Sequence, residues 1–83
     1  MLNYSLRQLE YFVTTAECRS VANAARQLNI SQPSVSKAIT NLENQFSTQL
    51  FIRHHAKGVS LTQAGKRLLA HARSLLRDAR DLQ

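Results

Sequence analysis

The chain has 83 residues, a formal net charge of +6, 43% hydrophobic and 19% charged residues. This balance excludes a disordered tail and fits one small domain that buries only roughly 60–65% of the surface its unfolded chain exposes. The lone cysteine, Cys18, excludes an intrachain disulfide, and no apolar run approaches the ~20 residues of a membrane span. The segment from Met1 to Leu6 lacks the apolar stretch of a signal peptide, so a soluble, cytoplasmic protein is expected.

The charge is unevenly spread. The acids are Glu10, Glu17, Glu43, Asp78 and Asp81. From Asn44 to Arg77 there is none, while Arg53, Lys57, Lys66, Arg67, Arg73 and Arg77 all fall there. A second acid-free stretch, Cys18 to Leu42, carries Arg19, Arg26 and Lys37. Such stretches suit a surface that meets a polyanion, or equally a solvated basic face.

In chain order, Ser5 is a helix N-cap, and Gln8 three residues on completes a capping box. Leu6, Leu9, Phe12, Val13 and Ala16 then recur at helical spacing up to Glu17 or Cys18. Ser20 caps a second, short helix whose apolar stripe is Val21, Ala24, Ala25 and Leu28; the two alanines leave room for a neighbouring helix. Asn29 tolerates the left-handed backbone of a tight exit, and Ile30 anchors the turn.

Ser31 caps a third helix with Pro33 in its first turn. Val35, Ile39, Leu42 and Phe46 form its buried stripe. At about 100° per residue the opposite side carries Pro33, Lys37, Thr40 and Asn44, flanked by Gln32 and Ser36. That outward side is free of acids.

Leu50–Arg53 and Val59–Leu61 read as short strands joined by a loop over His54–Gly58. Thr62 caps a last helix running to Gln83, about 30 Å long at 1.5 Å per residue. Within it Leu68, Ala72, Leu75, Ala79 and Leu82 alternate steps of four and three, a coiled-coil seam that Leu69 and Leu76 widen. So small a core leaves this stripe more apolar surface than one protomer covers, so a homodimer through the last helix is expected.

Two short helices joined by a tight turn, the second polar outside, form a helix-turn-helix pattern. An α-helix fits the DNA major groove, where base edges present distinguishable donors and acceptors, and its N-terminus offers N–H groups to a phosphate. Gln32 can bond an adenine bidentately, Lys37 can reach guanine or phosphate, and Ser34, Ser36 and Thr40 can bond either.

From Leu6 to Leu76 the sequence resembles the N-terminal domain of LysR-type transcriptional regulators. The matching residues are Leu6-Arg7-Gln8-Leu9 with Phe12, Ser20-Val21 with Ala24-Ala25 and Leu28, and Ser31-Gln32-Pro33-Ser34-Val35-Ser36-Lys37 with Ile39 and Leu42-Glu43. Gln49-Leu50-Phe51-Ile52-Arg53, Gly58-Val59, Leu61-Thr62 and Ala64-Gly65 follow in order. The resemblance implies a mainly α fold: a winged helix-turn-helix of three helices and a short β-hairpin wing over residues 1–61, then a linker helix over 62–83 that pairs antiparallel with its copy.

It further implies that the domain binds double-stranded DNA at an interrupted inverted repeat to regulate transcription. Ser31, Gln32, Pro33, Ser34, Ser36, Lys37, Thr40, Arg53, Lys57 and Thr62 then lie at the DNA, with Arg53 on the backbone and Lys57 in the wing. The family's small-molecule effector is sensed by a larger C-terminal domain, so the chain is expected to be a piece of a longer bacterial regulator. Three positions depart from the family's pattern. Ser47 stands where Gly is common, Asn29 where helix-turn-helix proteins often prefer Gly, and His54-His55-Ala56 replaces a more arginine-rich loop.

A winged helix can also serve as a protein-interaction or RNA-binding module. The first would expose apolar anchors on the third helix and the second would expose aromatics. No paired carboxylates, activated nucleophile or phosphate-cradling loop points to an enzyme. Adjacent His54 and His55 with distant His71 lack metal-ligand spacing, so no metal or cofactor is expected. Cys18 reads as a partly buried small residue rather than a redox sensor.

Overall fold

In a computed structural model that describes residues 3–83, four helices and one hairpin follow in the order α1 (Leu6–Cys18), α2 (Val21–Leu28), α3 (Gln32–Gln45), β1 (Phe51–His54), β2 (Gly58–Leu61) and α4 (Gln63–Asp81). The caps explain the boundaries. The Ser5 hydroxyl accepts the Gln8 N–H at 3.1 Å while the Gln8 side chain accepts the Ser5 N–H at 2.9 Å, the expected capping box. Ser20, Ser31 and Thr62 each accept an N–H three residues on. α1 and α2 end where Arg19 (φ 56°) and Asn29 (φ 59°) turn left-handed. Asn adopts that backbone readily because its short polar side chain bonds locally.

The core is a single cluster: Leu9, Phe12 and Val13 from α1, Ala25 from α2, Val35, Ile39 and Leu42 from α3, then Leu50, Phe51 and Val59 from the hairpin. Phe12 and Phe51 pack tilted with ring centroids 5.3 Å apart. α4 joins the same cluster through Ala72 and Leu76, with Leu68, Leu69 and Ala64 packed partly against it. The last helix is therefore a wall of the domain along its first four turns, not an appendage to it.

The two strands pair antiparallel, Phe51 opposite Leu61 and His54 opposite Gly58. Each runs one residue further toward the tip than the sequence suggests, leaving a loop of His55, Ala56 and Lys57. Lys57 N–H closes it on His54 O at 3.1 Å, with Ala56 left-handed (φ 60°). Phe46 departs from its expected place in the buried stripe of α3. It caps the helix, stays 39% exposed and packs tilted against Tyr4 with ring centroids 5.4 Å apart, because the helix stops before its stripe reaches the core again.

Candidate nucleic-acid interface

α2 and α3 are joined by three residues, Asn29 to Ser31. Ile30 N–H bonds Ala25 O at 3.0 Å, which turns the chain sharply, and Ala24 and Ala25 are buried. The apolar stripe of α3 faces inward: Val35, Ala38, Ile39 and Leu42 are all buried. The opposite side is open. Gln32, Pro33, Ser34, Lys37, Thr40 and Asn44 are exposed and Ser36 is half-buried. Asn41 is exposed on this side too; it lies one turn beyond Lys37 and escaped a reading that stepped only through Thr40 and Asn44.

The helix start is less rich in free donors than its dipole alone implies. Pro33 has no N–H, and the Ser31 hydroxyl accepts the Ser34 N–H at 3.2 Å, so Gln32 supplies the free amide. The Ser31 and Ser34 hydroxyls are 2.8 Å apart, and either can donate. One proton is spent between them, which leaves the other to point outward.

Arg53 and Lys57 are exposed on the hairpin, Lys57 in its tip. His54 bonds Ser60 across the strands through Nε2 at 2.7 Å, so the departure from an arginine-rich loop puts one ring into bracing the wing. Thr62 is differently placed from the rest. Its hydroxyl donates to Gln49 O at 2.7 Å and accepts the Gly65 N–H at 3.0 Å. A phosphate oxygen only accepts, and this hydroxyl has already committed its proton. Thr62 holds the base of the wing and the start of α4 together.

The expected dimer residues fall into two groups. Ala72 and Leu76 are buried in the protomer itself, and Leu68 and Leu69 are half-buried against its core. Ala72 is 0% exposed in the protomer. Leu75, at 46% exposed, and Leu82, at 90%, lie outside with half-buried Ala79 between them. The seam thus splits lengthwise, because the helix turns its a-to-d stripe partly toward α1.

The basic stretches also sort differently in space than in sequence. Arg73 reaches Glu17 on α1 at 3.1 Å. Its charge is balanced from 56 residues away, outside the acid-free stretch in which it lies. Among the described residues no group of three or more His, Cys, Asp or Glu is arranged to hold a metal ion, and no helix is long and apolar enough to cross a membrane.

Residues 6–66 match the family model described as the bacterial regulatory helix-turn-helix protein, lysR family. The chain belongs to that family. Among curated lysR-family relatives, the HTH-type transcriptional regulator XapR of Escherichia coli is 48% identical over 77 residues, covering 93% of this chain and 26% of XapR. Among solved structures, an H2O2-bound OxyR mutant of Corynebacterium glutamicum superposes with a TM-score of 0.91 at 43% identity, covering 99% of this chain and 26% of that one. A CbnR DBD–DNA complex superposes with a TM-score of 0.89 at 38% identity, covering 93% of this chain and 87% of that one. This lysR-family chain spans about a quarter of the length of the curated relatives it matches. Its four helices and hairpin form the winged helix-turn-helix fold of these neighbours.

Proposed function

We propose that this chain binds double-stranded DNA sequence-specifically as the reading module of a bacterial transcriptional regulator. α3 enters a major groove, and two copies joined through α4 address an interrupted inverted repeat. In this reading residues 1–61 meet the DNA and residues 62–83 carry the contacts between copies. The observation that carries the reading is the two-sidedness of α3: Val35, Ala38, Ile39 and Leu42 are buried while Gln32, Ser34, Lys37, Thr40 and Asn41 stand open with no acid among them. The similarity to a CbnR DBD solved on DNA supports it.

Each side chain has a role in the reading. Gln32 and Asn41 offer paired donor and acceptor to base edges. Lys37 serves a guanine or a phosphate, and Ser31, Pro33, Ser34, Ser36 and Thr40 complete the contact surface. Arg53 and Lys57 grip phosphates, which positions the domain without specifying sequence. Leu75, Ala79 and Leu82, with the exposed flanks of Leu68 and Leu69, form the contact between copies.

Selection of preferred duplexes from a random pool, followed by anisotropy titration, tests this. Gln32→Ala should narrow the gap between selected and random DNA by about tenfold, one bidentate contact. Lys37→Ala should weaken binding to selected DNA. An unchanged gap with Gln32→Ala removes base reading from that residue.

A further inference from the structure

α3 carries a carboxylate at the wrong end. Glu43 lies in the last turn of a helix that ends at Gln45, where the negative end of the helix dipole disfavours an acid. Its charge is not spent on a cation, since the one ion pair among the described residues joins Arg73 to Glu17. Glu43 Oε2 instead accepts two consecutive backbone N–H groups at the entrance to β1, Leu50 at 2.8 Å and Phe51 at 3.3 Å. The Glu43 carbonyl also accepts the Thr48 N–H at 3.0 Å. One residue of α3 thus holds three amides of the segment that leads into the wing.

The same segment is fastened on its other side. Leu50 O accepts the Thr62 N–H at 3.0 Å and Gln49 O accepts the Thr62 hydroxyl at 2.7 Å. Leu50 and Phe51 therefore give their N–H groups to α3, while the carbonyls of Gln49 and Leu50 go to the cap of α4. On the far strand Val59 N–H bonds Arg19 O at 3.0 Å, in the turn between α1 and α2. Among the described residues, the Glu43 tie is the charged one of these, and it alone links the hairpin by hydrogen bonds to the helix proposed to read DNA.

We propose that Glu43 is a positioning residue that sets the wing against the recognition helix. It fixes the offset between the bases met by α3 and the phosphates met by Arg53 and Lys57. The proposal rests on the DNA-binding reading above for its consequence, and on the hydrogen bonds alone for its mechanics. With Glu43 in place, the cost of ordering the wing is met before DNA arrives, so the Lys57 contact adds to affinity in full. Without it the hairpin stays folded on Phe51 and Val59 but wanders relative to α3, and Lys57 contributes little.

Two measurements on the 83-residue chain test this. The first is amide hydrogen exchange. Glu43→Ala should speed exchange at Leu50 and Phe51 by at least about tenfold while Phe12 and Ile39 change by less than about twofold. Glu43→Gln keeps a neutral acceptor and should fall between, since a charge-assisted bond is roughly twice as strong as a neutral one; it also serves if the alanine variant folds poorly. Unchanged exchange at Leu50 and Phe51 in both variants overturns the mechanics.

The second is a double-mutant cycle on a selected duplex. Lys57→Ala should weaken binding about three- to tenfold in the native background and less than about twofold beside Glu43→Gln or Glu43→Ala. Equal losses in both backgrounds overturn the positioning role even if Glu43 matters for stability. Failure of the unmutated chain to bind any duplex is a separate result that sinks the DNA reading, and it leaves the exchange experiment to judge the tie.

Discussion

Gly58 lies so close to Arg19 that a Cβ built on it would stand 2.1 Å from the Arg19 carbonyl oxygen. That oxygen is the one the Val59 N–H bonds, so the wing meets the turn between α1 and α2 backbone to backbone. Gly58 is also left-handed, with φ at +83°. Gly58→Ala therefore meets a steric and a conformational cost together, neither relieved by a side-chain move. It should destabilise the domain by at least about 2–3 kcal/mol, a fall in Tm of roughly 10 °C or more for a domain of this size. Thermal circular dichroism checks this, and a Tm within a few degrees of the native chain would show that the strand and turn can part cheaply.

Ser47 offers the opposite experiment. It holds φ at 50° just after the Phe46 cap, a backbone costly for a residue with a Cβ. Ser47→Gly relieves that cost while giving back some entropy in the unfolded chain. The net should be a stabilisation of about 0.5–1 kcal/mol, seen as a rise of a few degrees in Tm. A fall in Tm would mean that the serine is held by something other than its backbone.

These positions show what the sequence made legible. Caps at Ser5, Ser20, Ser31 and Thr62 set every helix start because each serine or threonine satisfies a defined orphan amide, a local event. The inward and outward sides of α3 followed from its period as far as Leu42, but not at Phe46, where the helix has already ended. Non-local facts were harder to read. Thr14 and Thr15 are buried on α1, and only the bond from the Thr15 hydroxyl to Tyr11 O at 2.8 Å shows how a polar group is tolerated there.

The role of Thr62 at the wing base, the tie from Glu43, and the burial of Ala72 depend on partners 13, 7 and many more residues away. The Ser47 departure from glycine was visible as a mismatch. The structure adds its cause, a left-handed φ.

In the proposed dimer, the exposed and buried sides of α4 would separate association from folding. Leu75 is 46% exposed, whereas Ala72 is sealed at 0%. Leu75→Glu should weaken dimerisation at least about tenfold in sedimentation equilibrium, since two copies each desolvate a charge, with helicity unchanged. Ala72→Glu should instead unfold the chain, because a lone charge in the core costs about 3 kcal/mol or more of a small domain's stability. If Leu75→Glu left the dimer intact, the exposed edge of α4 would not be the contact between copies.

The Arg73–Glu17 pair predicts a near-absence of effect on folding. Both side chains are about half exposed, at 52% and 49%. Arg73→Ala should alter stability by less than about 0.5 kcal/mol, in urea melts with an unchanged slope. A loss above about 1 kcal/mol would mean that the pair locks α4 to α1 more firmly than its exposure allows.

The central claim is that the open side of α3 enters the groove, and an NMR titration with a selected duplex tests it most directly. On saturation the amide shifts should move at Gln32 through Asn41 and at Lys57, while Glu10 on the far side of α1 stays in place. Large shifts confined to α1 and α4, with Gln32, Ser36 and Lys37 unmoved, would contradict the account.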